Sequence, residues 1–321
     1  MNKRALGRSG LSVAPLALGG NVFGWTADET ASFAVLDAFV DAGFDLVDTA
    51  DCYSYWVPGH QGGESEEILG RWLARGGKRA KVTLATKVGL EFGGRGGLRK
   101  AHIVYSVEQS LRRLRTDQID LYQAHRDDSG APLEETLSAF AELVRAGKVR
   151  AIGASNYEAP RLAAALAESA RLGLPRFECL QPHYNLCERA GYESALEPLC
   201  RREDVAVIPY YSLASGFLTG KYRQDSDLTG KTRGGHVSKY MNARGFAVLA
   251  ALDAAAAELG AKPASVALAW LIARPGVTAP IASATSVAQL DDLTAAARLV
   301  LPPETITALD RASAAPIPAA G

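Results

Sequence analysis

The sequence predicts a (β/α)8 barrel, read as one domain over residues 1–321. Three observations carry this. Eight short β-branched or apolar runs recur along the chain, longer amphipathic stretches separate most of them, and no shift in composition marks a boundary. The runs are Val13–Leu18, Phe44–Val47, Val82–Ala85, Ile119–Tyr122, Val149–Ile152, Phe177–Leu180, Val205–Ile208 and Val277–Ile281. The rival is an open, doubly wound sheet. When that fold binds a dinucleotide it usually shows G-x-G-x-x-G after an early strand, with an acid about 20 residues on. Here the first run ends in Gly19-Gly20-Asn21-Val22-Phe23-Gly24, which does not fit that spacing.

In chain order, residues 1–12 come first, with Gly7 and Gly10 flanking Arg8-Ser9, and read as a small hairpin ahead of the first barrel strand. The Gly93–Gly97 cluster reads as a flexible loop. The clearest helix runs from Pro132 to Gly147. Pro132 suits a first turn, Leu133, Leu137, Phe140, Leu143 and Val144 recur on one face, and Gly147 suits a left-handed cap. The connection between strands seven and eight is long. It holds a polar loop from Gly216 to Gly235 and extra helices around Gly245–Leu259 and Pro263–Ala273. Connections of that length are usually functional. Ser286 and Gln289 form an S-x-x-Q capping box. A last helix near Glu304–Ala312 closes one end of the barrel, and the Ala/Pro-rich tail after Ala312 is expected to fray.

Composition narrows the function. Hydrophobic residues make up 48% and charged residues 22%, enough for a large core and against disorder. Lys+Arg and Asp+Glu are 35 each, so no basic excess points to nucleic acid. No run approaches the ~20 apolar residues of a membrane span; the Ala-rich stretch near Ala254 is broken by Asp253 and Glu258. Met1 to Gly10 is polar and Gly-rich, unlike a secretory leader. A cytoplasmic protein, without nucleic-acid or membrane partners, is expected. Cys52, Cys179, Cys187 and Cys200 make no C-x-x-C and no Cys/His ligand spacing. Neither a disulfide framework nor a metal site is expected, and the thiols read as buried or incidental. Cys52 stands apart because it precedes Tyr53.

In barrels of this type chemistry gathers at the C-terminal ends of the strands. The residues just past the runs are Gly19/Gly20, Asp48, Lys87, His125, Ser155-Asn156, Gln181, Tyr210 and Ser283. Asp48, Lys87 and His125 follow strands two, three and four, so they converge on one mouth. Tyr53 lies five residues past Asp48 in the same loop. A phenol has a reference pKa of about 10, too high for efficient acid–base work at neutral pH. A nearby ammonium is expected to lower it, an Asp to hold that Lys, and a His to hydrogen-bond a substrate oxygen. The set reads as protonation of a carbonyl coupled to attack on its carbon. The attacking species is hydride, which no side chain supplies, so a nicotinamide cofactor is implied.

At these residues the chain resembles the aldo-keto reductases, on the branch with potassium-channel β-subunit-like members. The resemblance runs from Leu6-Gly7-Arg8-Ser9-Gly10-Leu11 to about Leu301. It rests on Gly43-Phe44-Asp45-Leu46-Val47-Asp48-Thr49-Ala50 with Tyr53, Gly63-Glu64-Ser65-Glu66, Thr86-Lys87, Ser110-Leu111-Arg112-Arg113-Leu114 and Asp120-Leu121-Tyr122-Gln123-Ala124-His125. It continues with Gly147-Lys148-Val149-Arg150 to Gly153-Ala154-Ser155-Asn156, Gln181 with Tyr184-Asn185-Leu186, and Leu213-Ala214-Ser215-Gly216 to Thr219-Gly220-Lys221. The resemblance implies that Tyr53 is the general acid in reduction, that Lys87 and Asp48 tune it, and that His125 orients the carbonyl. It implies that Ser155, Asn156 and Gln181 hold the nicotinamide carboxamide and that Tyr210 stacks on its ring. Ser212, Leu213, Ala214, Gly216, Thr219 and Lys221 match a belt over the pyrophosphate, and Gly20 and Asn21 match the cofactor's edge.

The sequence departs from the family's pattern after strand eight. Many members carry Lys or Arg there for the 2′-phosphate; this chain has Ser283-Ala284-Thr285-Ser286, then Gln289, Asp292 and Leu293. Phosphate binding then falls to backbone N–H groups at a helix start and to Arg233 reaching in from the long loop. NADPH is the expected cofactor, with measurable NADH use. The partner is a small carbonyl substrate beside Tyr53, Trp56 and His125, where the loop Tyr53-Ser54-Tyr55-Trp56-Val57-Pro58 suggests a partly apolar pocket. A monomer or weak homo-oligomer is expected. Two rivals stand beside the reductase: a nucleotide-sensing subunit of a larger complex with slow turnover, and a barrel hydrolase or lyase using Asp48 and His125. The second leaves Tyr210 and Gln181 unexplained.

Overall fold

The computed structural model describes residues 2–314. A hairpin of β1 (Arg4–Ala5) and β2 (Ser12–Val13) precedes eight parallel strands. These are β3 (Ala17–Gly19), β4 (Leu46–Asp48), β5 (Thr83–Val88), β6 (Ile119–Ala124), β7 (Val149–Ser155), β8 (Phe177–Gln181), β9 (Ala206–Val207) and β10 (Ile281–Ala282). They are ordered β10-β3-β4-β5-β6-β7-β8-β9. The seam between β9 and β10 is held by the N–H groups of Thr278 and Ile281, which donate to the carbonyls of Val207 (2.7 Å) and Pro209 (2.8 Å). The expected α/β barrel of eight units is therefore the observed fold.

Four strands are shorter than their apolar runs, β4 by a single residue and β3, β9 and β10 by more. Val13 belongs to the hairpin, and Pro15, which has no N–H, separates it from β3. Pro209 and Pro280 trim β9 and β10 in the same way. The hairpin covers the N-terminal end of the barrel: Leu6, Leu11 and Val13 join the apolar cluster of its interior. The Arg8 N–H donates to Glu178 at the start of β8 (2.9 Å).

Alternation along the strands sets the site. Leu46, Ala85, Leu121, Ala151 and Cys179 fill the interior, while Val47, Leu84, Tyr122, Ile152 and Leu180 join the cluster that faces the helices. Two residues further along four of these five strands, the inward set becomes polar: Asp48, Lys87, Gln123 and Gln181, with Gly153 at that place in β7.

Outside the strands lie α1 (Glu29–Asp41), α2 (Glu64–Leu73), α3 (Lys100–Leu114), α4 (Leu133–Arg145), α5 (Ala159–Leu172), α6 (Ala190–Glu193) and α7 (Leu196–Glu203). After β9 come α8 (Gly234–Val237), α9 (Ala243–Leu259) and α10 (Pro263–Ala273); α11 (Val287–Ala295) and α12 (Pro303–Ser313) follow β10. In α4, Pro132 is the N-cap, one position before the first turn expected of it, and Gly147 has φ 73°, as its pattern predicts. Of the two helices read as extras, α10 is buried along nearly its whole length and serves as the barrel's own helix before β10; α9 is the addition and packs on α10 and α12. The capping box of α11 is only half made. Ser286 Oγ accepts from the Gln289 N–H, but the Gln289 carboxamide turns to Thr285 instead. Among the described residues no single helix is long and apolar enough to cross a membrane; α9 and α10 pass such a test only as a pair bent by 96°. The Ala/Pro-rich tail beyond Ala314 lies outside the described residues.

Several motifs in the sequence are structural. Glu66 of the Gly63–Glu66 motif is fully buried, accepting from Thr86 Oγ1 (2.6 Å) and from Arg113 Nε (2.7 Å). It thereby joins α2, β5 and α3. At Gly70 these helices touch: a Cβ there would lie 1.9 Å from the Arg113 carbonyl oxygen. Gly→Ala inside a helix ordinarily stabilises by roughly 0.5–1 kcal/mol. Here the sign reverses, and Gly70→Ala should destabilise by about 1–3 kcal/mol in urea unfolding as α2 and α3 are forced apart.

Candidate active site

The inward polar residues make one connected network. Lys87 is fully buried, and its ammonium uses all three donors: Asp48 Oδ2 (2.6 Å), the Thr49 carbonyl (2.8 Å) and the Tyr53 phenol oxygen (3.2 Å). The other Asp48 oxygen accepts from the side-chain amides of Gln123 (3.1 Å) and Gln181 (3.0 Å), and Gln181 also donates to Gln123 Oε1 (3.2 Å). Burial alone would lower the Lys87 pKa. Asp48, Tyr53 and the hydrogen bonds outweigh it, and the ammonium is held above its ordinary range.

Tyr53 departs from the sequence expectation. Its phenol is held above the ordinary tyrosine range, not below it. Burial is the largest cause, and the Asp48 charge opposes the Lys87 ammonium that would favour phenolate. His125 is pushed well below the usual histidine range by burial, then by Lys87 and Arg126, so its ring is neutral. His125 Nδ1 faces Cys52 Sγ at 3.7 Å. Burial raises the Cys52 thiol, keeping it protonated.

The tetrad of Asp48, Tyr53, Lys87 and His125 opens into a cavity of about 1040 Å³. Asn21, Ser155, Asn156, Gln181, Tyr210, Ser212, Leu213, Gly216, Thr219, Lys221, Arg233, Ser283, Thr285, Gln289 and Asp292 line it, beside Asp48, Tyr53, Trp56 and His125. Two expected cofactor residues do not reach it. Gly20 lies behind the wall, its carbonyl accepting from Ser65 Oγ (2.7 Å), and Gly19 lines the cavity instead. Ala214 is fully buried beneath the loop.

Tyr210 lies against the His183 ring, with centroids 5.3 Å apart and planes 18° apart. Its hydroxyl donates to Asn156 Oδ1 (2.7 Å), and burial pushes its pKa up to about 12. The Asn156 amide donates to the His125 carbonyl (2.9 Å) and Ser155 Oγ to the Gln181 carbonyl (2.9 Å). Asn185 holds the corner, donating to the Tyr211 carbonyl at 2.9 Å. Ala214 (φ 49°), Ser215 (φ 59°) and Gly216 (φ 100°) form a left-handed run that bends the loop sharply. Non-glycine residues there cost roughly 1–3 kcal/mol each and persist only where their surroundings enforce them.

Reading only the first polar residue past each run missed Gln123, and it missed Trp25, Tyr211, His236 and Lys262, which also line the cavity. Trp25 follows strand one; it meets Trp56 edge-on at 5.5 Å, and Trp56 meets Tyr53 at 5.6 Å. The Arg233 guanidinium lies 5.5 Å from the Trp25 ring centre. Asp51 was also missed. Its buried carboxylate has no hydrogen-bond partner among the described residues, and burial, then Glu66, pushes its pKa well up. Asp51, Cys52 and His125 bring donor atoms within 4.8 Å of one another. A deeply buried acid and thiol beside the Lys87 ammonium make a poor seat for a dication.

The Aldo/keto reductase family profile matches residues 15–314. The chain belongs to the aldo-keto reductase family. An oxidoreductase of Bacillus subtilis, YrpG, is 36% identical over 315 residues, covering 95% of this chain and 94% of its own. The aldo-keto reductase YhdN of the same organism is 36% identical over 284 residues, 86% and 81% of the two chains. A protein of Oryza sativa subsp. japonica described as a probable voltage-gated potassium channel subunit beta is 33% identical over 301 residues, 90% and 89%. Over most of its length this aldo-keto reductase is thus similar both to proteins named as reductases or oxidoreductases and to one named as a probable potassium channel subunit.

Proposed function

We propose that this chain reduces an aldehyde or ketone to the alcohol, with NADPH preferred and NADH usable, and with Tyr53 as general acid. One observation carries the reading. The Tyr53 oxygen accepts a hydrogen bond from Lys87, whose other two donors are taken by Asp48 and Thr49. The phenol's own O–H is therefore left for the cavity, where it can pass a proton to a carbonyl oxygen. Its raised pKa keeps it protonated through the neutral range, which suits an acid.

His125 supplies the second donor. A protonated Cys52 thiol offers S–H to Nδ1, which favours the tautomer with the proton on Nε2. That N–H and the phenol then hold the carbonyl oxygen together. The cavity extends well past the tetrad, as a dinucleotide requires, and carries the free face of Tyr210 and the cations Lys221 and Arg233. A nicotinamide bound at the tetrad end would supply the hydride. Trp25 and Trp56 offer an apolar wall for the rest of the substrate and favour aromatic or bulky carbonyl compounds.

The channel-associated relative favours a second reading, nucleotide sensing with slow turnover. A panel of aldehydes and ketones, run with NADPH and with NADH, separates the two. Steady carbonyl-dependent oxidation of either cofactor supports the enzyme; tight binding with negligible turnover across the panel supports the sensor. Turnover in reduction should show no phenol ionisation between about pH 6 and about pH 9. A Tyr210→Ala variant should bind cofactor more weakly by about 0.5–1.5 kcal/mol beyond the lost area, while Tyr210→Phe stays mild. Equal affinities by calorimetry would move the stacking role to Tyr211.

A further inference from the structure

Two elements bring positive charge to the cavity, the long loop after β9 and the start of α10. Lys221 and Arg233 form one group: burial, then Arg233 and Lys231, depress the Lys221 ammonium, so these cations share one neighbourhood. The other is Lys262, the residue capping α10. Its Nζ lies 2.9 and 3.0 Å from the two carboxylate oxygens of Asp292 on α11. The Lys262 side chain is 67% exposed. It lines the cavity with Thr285, Gln289 and Asp292, on the wall built by α10, α11 and the end of β10.

The segment after β10 offers backbone N–H groups at the start of α11 and the Ser286 hydroxyl, but no charged donor. The Thr285 N–H and hydroxyl both go to Gln289 Oε1 (3.0 and 3.1 Å), and Ser286 Oγ accepts from the Gln289 N–H. No Lys or Arg occurs from Ser283 to Leu293. Lys262 is thus the one cation lining this wall among the described residues. A dinucleotide with a 2′-phosphate carries anions at the bridging pyrophosphate and at the ribose.

We propose that Lys262 is the residue that recognises the 2′-phosphate, turning from Asp292 to the phosphate when the nucleotide binds. This rests on reading the cavity as a nicotinamide dinucleotide site. Asp292 makes the device two-sided. Its carboxylate can accept a ribose 2′-hydroxyl while still paired to Lys262, and it repels a dianion at the same position. A modest preference for the phosphorylated cofactor follows, since Lys262 must first offset Asp292.

Isothermal titration with adenosine 2′,5′-bisphosphate and with 5′-AMP tests this on the full chain without turnover. Lys262→Met should weaken the bisphosphate roughly tenfold and change 5′-AMP by less than about twofold, since only the 2′-phosphate loses its charged partner. Lys262→Arg should keep the preference, and Asp292→Asn should tighten the bisphosphate alone. The difference should shrink in high salt, because the pair is exposed. Equal weakening of both fragments by Lys262→Met, or weakening of neither, overturns the role of Lys262 while leaving the nucleotide site standing. Binding of neither fragment to the wild type overturns both.

Discussion

Tyr53→Phe should lower kcat for carbonyl reduction by at least ~10²-fold, the usual cost of losing a general acid, with cofactor affinity nearly unchanged. The substitution removes one oxygen and leaves the ring edge against Trp56 in place. It also strips Lys87 of one of its three acceptors, but Asp48 and Thr49 still hold the ammonium. The loss should fall on kcat and kcat/KM alike, because the proton moves only as the transition state forms. A variant that keeps most of its turnover would place the acid elsewhere, with neutral His125 the first alternative.

The second large effect is on stability. Arg113→Met should destabilise the fold by roughly 3–5 kcal/mol, because it leaves a buried carboxylate without its countercharge. Glu66 is fully buried, and its remaining partner is a threonine hydroxyl. Adding Glu66→Gln to that variant should recover part of the loss, since a neutral amide tolerates the same site. Urea unfolding of the single and double variants measures both steps. A loss below about 1 kcal/mol, the scale of an exposed pair, would mean that water reaches Glu66.

Much of the barrel is legible in the sequence because most of its strands alternate inward and outward residues without a break. Leu46 and Asp48 must share a face, as must Ala85 and Lys87, so finding the strands finds the inward column. The tetrad follows, because each member sits at or just past a strand end or in the loop after β4. What burial and distant packing decide is less legible. The nearness of Lys87 to Tyr53 is readable from spacing, but the depth at which both are buried is not, and that depth reverses the direction of the phenol's shift. Gln123 looks like one more strand residue until Asp48 is seen to accept from it. Lys262 precedes β10 by nearly twenty residues; it reaches the cavity only because α10 packs on α11. Gly20 and Ala214 fit the family's pattern by position, yet their neighbours Gly19 and Leu213 are the ones exposed to the cavity.

Isotope transfer from the nicotinamide to the product decides whether this chain delivers hydride to a carbonyl carbon. The wild-type chain is mixed with an aromatic aldehyde and NADPH carrying deuterium at the reactive C4 position of the nicotinamide, each C4 epimer in turn, and the product is read by mass spectrometry. One epimer should give an alcohol with a single deuterium on the carbinol carbon, and the other an alcohol with none. Alcohol free of deuterium from both epimers, or nucleotide that binds without any alcohol forming, would contradict that delivery.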